Sequence, residues 1–188
     1  MSALSGGEDG AGMSGGVPGI PQLRLRPAEP GDEALILSFI RELAAYEKLS
    51  HEVVATEEEL AASLFGPRPV AEVVLGFWEG AAAGFCLFFH TFSTFLGRPG
   101  LYLEDLYVKP ERRGRGIGRA FFTHLAQLAV ARNFGRLEWS VLDWNEPAIE
   151  FYRSVGARPL DEWTVFRLTG ERLADLAANV PTARGPGG

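Results

Sequence analysis

Residues 101–132, LYLEDLYVKPERRGRGIGRAFFTHLAQLAVAR, hold three kinds of sequence in one run. LYLEDLYV (101–108) reads as an aliphatic and aromatic strand, closed by Pro110. The segment from Ala120 onward sets Phe121, Leu125 and Leu128 on one face of a helix. Between them, RRGRGIGRA (112–120) interleaves arginines with Gly114, Gly116 and Gly118. Glycine loses more backbone freedom on folding than any other residue, so such a cluster implies that the backbone must come close to something. A helix starting just beyond it offers unpaired N–H groups and a partial positive charge. With the arginines added, the loop suits an anion, and a phosphate or diphosphate is favoured.

Two common phosphate loops are excluded by spacing. A dinucleotide fingerprint needs glycines at i, i+2 and i+5. Counted from Gly114 the third position is Arg119, and from Gly116 it is Phe121. A P-loop needs Gly-Lys before Ser or Thr, and neither of the two lysines, Lys48 and Lys109, follows a glycine. A bare Gly-x-Gly-x-Gly also suits a plain tight turn. The strand, proline, basic loop and apolar helix around it argue for a binding site.

Working outward, LRLRPA (23–28) alternates and reads as a first strand. A helix follows, with Asp32 at its cap position and Leu35, Phe39, Leu43 and Tyr46 at helical spacing. Thr56 and Glu59 form a capping box for a short helix that Gly66 ends. VAEVVLGFWEG and AAGFCLFFHTFS read as two strands turning near Glu79–Gly80. Beyond the loop and its helix come a strand over 136–143 and a helix with Asn145 as cap, Pro147 in its first turn and Gly156 as stop. A last strand (163–168) and a last helix complete the pattern. Three consecutive strands make an antiparallel meander, and the β-α-β around the glycine loop makes a parallel crossover. The class expected is α/β (α+β): a mixed, mostly antiparallel central sheet flanked by helices.

The totals suit one domain. The 188 residues are 46% hydrophobic and 22% charged, an ordinary globular composition. The Gly/Ser-rich residues 1–21 read as a disordered tail and 181–188 as a flexible one, leaving a domain over 22–180. A net charge of −6 argues against general nucleic-acid binding, so the arginines of the loop have a local purpose. The lone cysteine, Cys86, cannot form an intramolecular disulfide, which points to a reducing cytoplasm; it also reads simply as a small buried apolar side chain. No segment is apolar enough for a membrane helix. His51, His90 and His124 lack metal-ligand spacing, so no metal is expected.

Read as Arg-x-x-Gly-x-Gly through Arg113, Gly116 and Gly118, the loop resembles the acyl-CoA diphosphate loop of the GNAT N-acetyltransferase superfamily. The resemblance runs over roughly residues 22–170. YLEDLYV, WNEPAIEFYRSVGA and ELAAYEKL resemble in particular the diamine branch, spermidine/spermine N-acetyltransferase and its thialysine-acetylating relatives. It implies acetyl-CoA as acetyl donor and a homodimer. It implies a coenzyme A site at Leu106, Tyr107, Val108, Arg113, Gly114, Arg115, Gly116, Ile117, Gly118 and Arg119, with Asn145, Glu146, Pro147 and Ala148 on the later helix.

Acetyl transfer to an amine needs a neutral amine, a polarised carbonyl and a proton for the leaving thiolate. Glu104 and Asp105 are adjacent in a strand and so point to opposite faces, unless a bulge intervenes. The resemblance implies that Glu104 helps deprotonate the amine, and that Tyr152 protonates the thiolate. By itself Tyr152 reads equally as a core aromatic, Glu104 and Asp105 as solvent-facing edge charges. The amides of Leu106 and Val108 point to one strand edge, to which an extended ligand can add. By resemblance, Tyr46, Glu47, Glu104, Asp105, Glu138, Trp139 and Ser140 border the amine. Asp143, Lys48 and His51 depart from the diamine pattern, so spermidine, thialysine, another small diamine or an amino acid all stay open. A protein or peptide N-acetyltransferase and a non-catalytic acyl-CoA sensor are the alternative functions.

Overall fold

A computed structural model of the chain describes residues 16–179. Two compact units are present, one reaching to Ser140 and one starting at Val141. The first contains β1 (Leu23–Pro27), α1 (Glu33–Tyr46), α2 (Glu57–Phe65), β2 (Glu72–Trp78), β3 (Ala81–Ser93), β4 (Arg98–Val108), α3 (Ile117–Ala131) and β5 (Leu137–Trp139). The five strands lie in the order β1-β2-β3-β4-β5. All neighbours are antiparallel except β4 and β5, which are parallel and joined through α3. The meander and the crossover expected from the sequence are both present.

Local chemistry explains the ends of these elements. The capping box is formed, with the Glu59 amide donating to Thr56 Oγ1 and the Thr56 amide to Glu59 Oε2. Asp32 occupies the cap position of α1, but its side chain makes no cap bond. It accepts two bonds from the Arg26 guanidinium instead, at 2.6 and 2.8 Å, and so ties the start of α1 to β1. The β2–β3 turn places Glu79 and Gly80 at φ 51° and 82°, the left-handed pair that a two-residue hairpin requires.

The sheet is buried on both faces. On one, Ile36 and Phe39 of α1 and Leu64 of α2 pack against Val73, Leu75, Phe85 and Tyr107. Phe39 and Phe85 stack with centroids 5.6 Å apart. Each such buried side chain contributes roughly 1.5–3 kcal/mol of hydrophobic stabilisation. On the other face lies α3, which buries Ile117, Phe121, Phe122 and Leu125, while Leu128 is only half-buried. A Cβ on Gly76 would lie 2.8 Å from Phe121 Cζ, so the glycine lets α3 sit close to the sheet. Cys86 is fully buried in β3.

The second unit contains α4 (Glu146–Ser154) and α5 (Gly170–Ala178). Gly156 follows α4 at φ 88° and stops it, as expected. Asn145 stands at the cap of α4, yet its side chain makes no cap bond; its carbonyl accepts from the amides of Ala148 and Ile149. Two strand expectations are corrected. The strand expected over 136–143 spans only Leu137–Trp139. Residues 163–168 form no strand, and Phe166 is 91% exposed. Alternating β-branched and aromatic residues supply propensity, but a strand needs a neighbour for its amides and carbonyls. Among the described residues this segment has none.

Candidate active site

β4 carries the decisive irregularity. Phe88 pairs with Leu103 and Leu87 with Asp105, so Glu104 is left without a partner on β3. That is a bulge at Glu104. Pairs across a ladder share a face. Leu101 and Leu103 therefore lie on the α3 face with Phe88, whereas Asp105 and Tyr107 lie on the α1 face with Leu87 and Phe85. In a regular strand, with Glu104 paired in the ladder, all four would share one side.

The backbone changes phase in the same way. The Leu101 amide donates to Arg136 O, toward β5, and the Lys109 amide donates to Ala83 O, toward β3. Alternating back from Lys109, the amides of Tyr107 and Asp105 face β3, and those of Leu106 and Val108 face the opposite edge. β5 pairs with β4 only over Leu101–Leu103. Beyond Leu103, no strand among the described residues covers that edge, so it can accept an extended ligand.

The bulge gathers carboxylates. The Asp105 carboxyl is pushed up to about 6, first by burial, then by the negative charges of Glu104 and Glu47. Burial also raises the Glu47 carboxyl. Glu47 caps the C-terminus of α1, and that end is held by two bonds, Lys48 N to Ala45 O and Leu49 N to Ala44 O. This is a Schellman motif with Lys48, not glycine, in the left-handed position at φ 62°. Three of the expected amine-site acids, Glu47, Glu104 and Asp105, thus come together.

The glycine loop follows. Gly114 and Gly116 stand at φ 73° and 81°, and Gly116 is the N-cap of α3. The first-turn amides of Ile117 and Gly118 have no carbonyl to reach within the helix. No Cβ on Gly118 would meet another atom within 4 Å, so the approach to this turn is open. Arg113 Nε donates to Val108 O at 3.0 Å, and its guanidinium lies 4.6 Å from the centroid of the Tyr46 ring. Arg115 lies over Trp78 instead, at 5.2 Å. The Tyr107 hydroxyl donates to Glu42 Oε2 at 3.0 Å, and burial together with Glu42 pushes it up to about 12. Glu42 was not anticipated, although it lies one turn before Tyr46 on α1 and i,i+4 spacing shows the two on one face.

The remaining expected residues are placed as follows. Glu138 shares the α1 face with Tyr102 and pairs with Arg136 Nε at 2.6 Å. Trp139 packs edge-on against Phe122, and the Ser140 hydroxyl bonds to the Tyr102 hydroxyl at 2.7 Å. In the second unit, Glu146, Pro147 and Ala148 form the first turn of α4. Tyr152 is half-buried further along it, its ring 5.6 Å from that of Phe151. Among the described residues no cluster of three or more His, Cys, Asp or Glu suits a metal ion, and no helix is long and apolar enough to cross a membrane.

A crossover sheet, a bulge that gathers acids and a glycine-arginine helix start define one class of protein. The pattern of the acetyltransferase (GNAT) family matches residues 38–157, and the chain belongs to that family. It is an N-acetyltransferase. It is 42% identical to the thialysine N-epsilon-acetyltransferase of Sus scrofa over 164 residues, covering 81% of this chain and 96% of the relative. It is 32% identical to an L-ornithine N5-acetyltransferase of Arabidopsis thaliana over 195 residues, covering 80% and 86%. Among solved structures, an integron cassette protein from the mobile metagenome of V. cholerae superposes with a TM-score of 0.71 at 26% identity, covering 84% of this chain and 99% of that one.

Proposed function

We propose that the protein is an acetyl-CoA-dependent N-acetyltransferase acting on a small amine that carries a second cationic group: a diamine, a polyamine or a thialysine-like amino acid. The observation that carries this reading is the convergence of Glu47, Glu104 and Asp105 at the β4 bulge. A bound dication needs one end held while the other reacts, and clustered carboxylates hold it. The thialysine and ornithine acetyltransferases among the relatives, whose names denote amines on amino-acid side chains, support the same substrate class.

Coenzyme A fits the residues present. The amides of Leu106 and Val108 face an uncovered edge, where a pantetheine amide chain finds strand-like partners. Gly114 and Gly118 leave the approach to the α3 amides open, Gly116 lets Ile20 lie close, and Arg113, Arg115 and Arg119 supply positive charge for a diphosphate. Tyr107 only spaces these two strand amides, its own backbone facing β3 and its hydroxyl being committed to Glu42. When bound, acetyl-CoA supplies an acetyl thioester, at whose carbonyl the C–N bond forms as the C–S bond breaks.

The chain's own groups handle the protons. Glu104 accepts the proton of the attacking ammonium, directly or through a water, so that the nitrogen presents its lone pair. Asp105 and Glu47 hold the second cation, bordered by Tyr46, Glu138 and Ser140; Trp139, expected there, faces α3 on the other side of the sheet instead. Tyr152 donates its phenolic proton to the departing thiolate; an ordinary tyrosine, with a pKa of about 10, keeps that proton at neutral pH. Direct attack requires no covalent enzyme intermediate, and positioning supplies most of the rate.

The test is a panel of thialysine, ornithine, spermidine, putrescine and an N-terminal peptide, each with acetyl-CoA, following thiol release. The small dications are turned over; acetylation of the peptide alone would overturn the assignment. Tyr152→Phe lowers kcat on the order of a hundredfold while leaving coenzyme A affinity intact. Unchanged turnover would remove Tyr152 from its role.

A further inference from the structure

We infer that Arg113 is a positioning residue that links the diphosphate loop to the amine end of α1 through the ring of Tyr46, so that occupancy of either site raises affinity at the other. This rests on the reading that the loop takes coenzyme A.

Three elements meet at this one guanidinium. Its Nε donates to the Val108 carbonyl on β4, at the edge proposed for pantetheine. Its planar face lies over Tyr46, the last residue of α1, immediately before Glu47. Tyr107 stands on another side at 5.9 Å, itself fixed by its bond to Glu42 and by packing on Phe39. Nε and one face are thereby occupied, which leaves the two terminal nitrogens as the donors for an anion. Arg115, by contrast, stacks on Trp78 and has no comparable link to the acids.

The coupling follows from ordering. A free arginine gives up rotamer freedom when it grips a diphosphate. One already held against an aromatic face gives up less, so the Tyr46 ring strengthens diphosphate binding from the amine side. Conversely, a diphosphate that immobilises Arg113 also immobilises Tyr46 and, through the locked helix end, Glu47. Linkage makes the two effects equal.

Calorimetry on the full chain tests this with coenzyme A and spermidine as probes. Tyr46→Ala weakens coenzyme A binding about two- to fivefold, the size of an exposed cation–π contact. Tyr46→Phe keeps the affinity, because the ring and not the hydroxyl faces the guanidinium. Glu47→Gln leaves coenzyme A affinity as it is and weakens spermidine alone. Spermidine binds the coenzyme A-loaded wild type more tightly than the free protein, and Tyr46→Ala abolishes that difference. Arg113→Lys supplies a second route: it keeps the charge but loses the planar face, so adding Tyr46→Ala to it costs no further affinity. Wild-type affinity in Tyr46→Ala, an equal loss in Tyr46→Phe, or full additivity with Arg113→Lys overturns the linkage and leaves the proposed function standing. A wild type that binds no coenzyme A overturns both.

Discussion

Asp105 sits beside Glu104 and within electrostatic reach of Glu47, and its carboxyl titrates near 6 where an ordinary aspartate stands at 3.8. The shift has a definite thermodynamic sign. Between about pH 4 and pH 6 the folded chain binds this proton more tightly than the unfolded chain, so the associated stability is complete below that window and is lost as pH rises through 6. Asp105→Asn removes the loss. At pH 7.5 it stabilises the fold on the order of 2–3 kcal/mol, and urea unfolding at pH 4.5 and 7.5 shows a smaller pH dependence than the wild type. Equal slopes in the two proteins would refute it. The same substitution removes an ionised partner for the substrate cation, so the acid limb near pH 6 in kcat/KM for the diamine disappears and the plateau falls. Stability given up for the sake of binding is characteristic of a group kept for function. Adjacent acids in an apolar strand already pointed to this place. Their proximity to Glu47 was not legible, because 57 positions of chain separate Glu47 from Glu104 and only the α1 packing on the sheet brings them near.

At the scale of the element, the bulge in β4 decides which side chains reach which face. Because strand side chains alternate with a period of two, one inserted residue exchanges every face beyond it. Deleting Glu104 makes Leu103 and Asp105 adjacent, opposite Phe88 and Leu87, so a regular ladder keeps all four side chains on their present faces. The deletion therefore costs much less than the several kcal/mol of turning two buried side chains out of the core. Glu104→Ala, at an exposed position, costs less than about 1 kcal/mol. Thermal melts check the register: both variants melt close to the wild type, and a deletion variant that loses several kcal/mol would sink the argument. A bulge was conceivable from the Glu104–Asp105 pair, but its position depends on pairing with β3, which no local pattern encodes. The capping box of α2 and the turn at Glu79–Gly80, in contrast, were fully legible, because their partners lie within a few residues. The segment 163–168 shows the converse: strong local alternation without a neighbouring strand yields no strand.

For the molecule as a whole, Cys86 offers a built-in probe. It lies in the middle of β3 with no exposed surface, and burial pushes its thiol far above the ordinary range. A thiol reagent reaches it only when the sheet opens, so labelling in native buffer follows global unfolding. Coenzyme A at a hundred times its Kd slows that labelling about a hundredfold when opening is in equilibrium. Labelling within seconds in native buffer would show that the sheet opens by a local route. The amino-acid sequence by itself determined the helices, the meander, the crossover and the anion-seeking loop, since periodicity, caps and glycine spacing act over a few residues. The tertiary structure alone decided the bulge register, the union of Glu47 with Glu104 and Asp105, and the contact of Arg113 with Tyr46. Those depend on residues far apart in the chain, and only the packing of both sheet faces brings them within reach of one another.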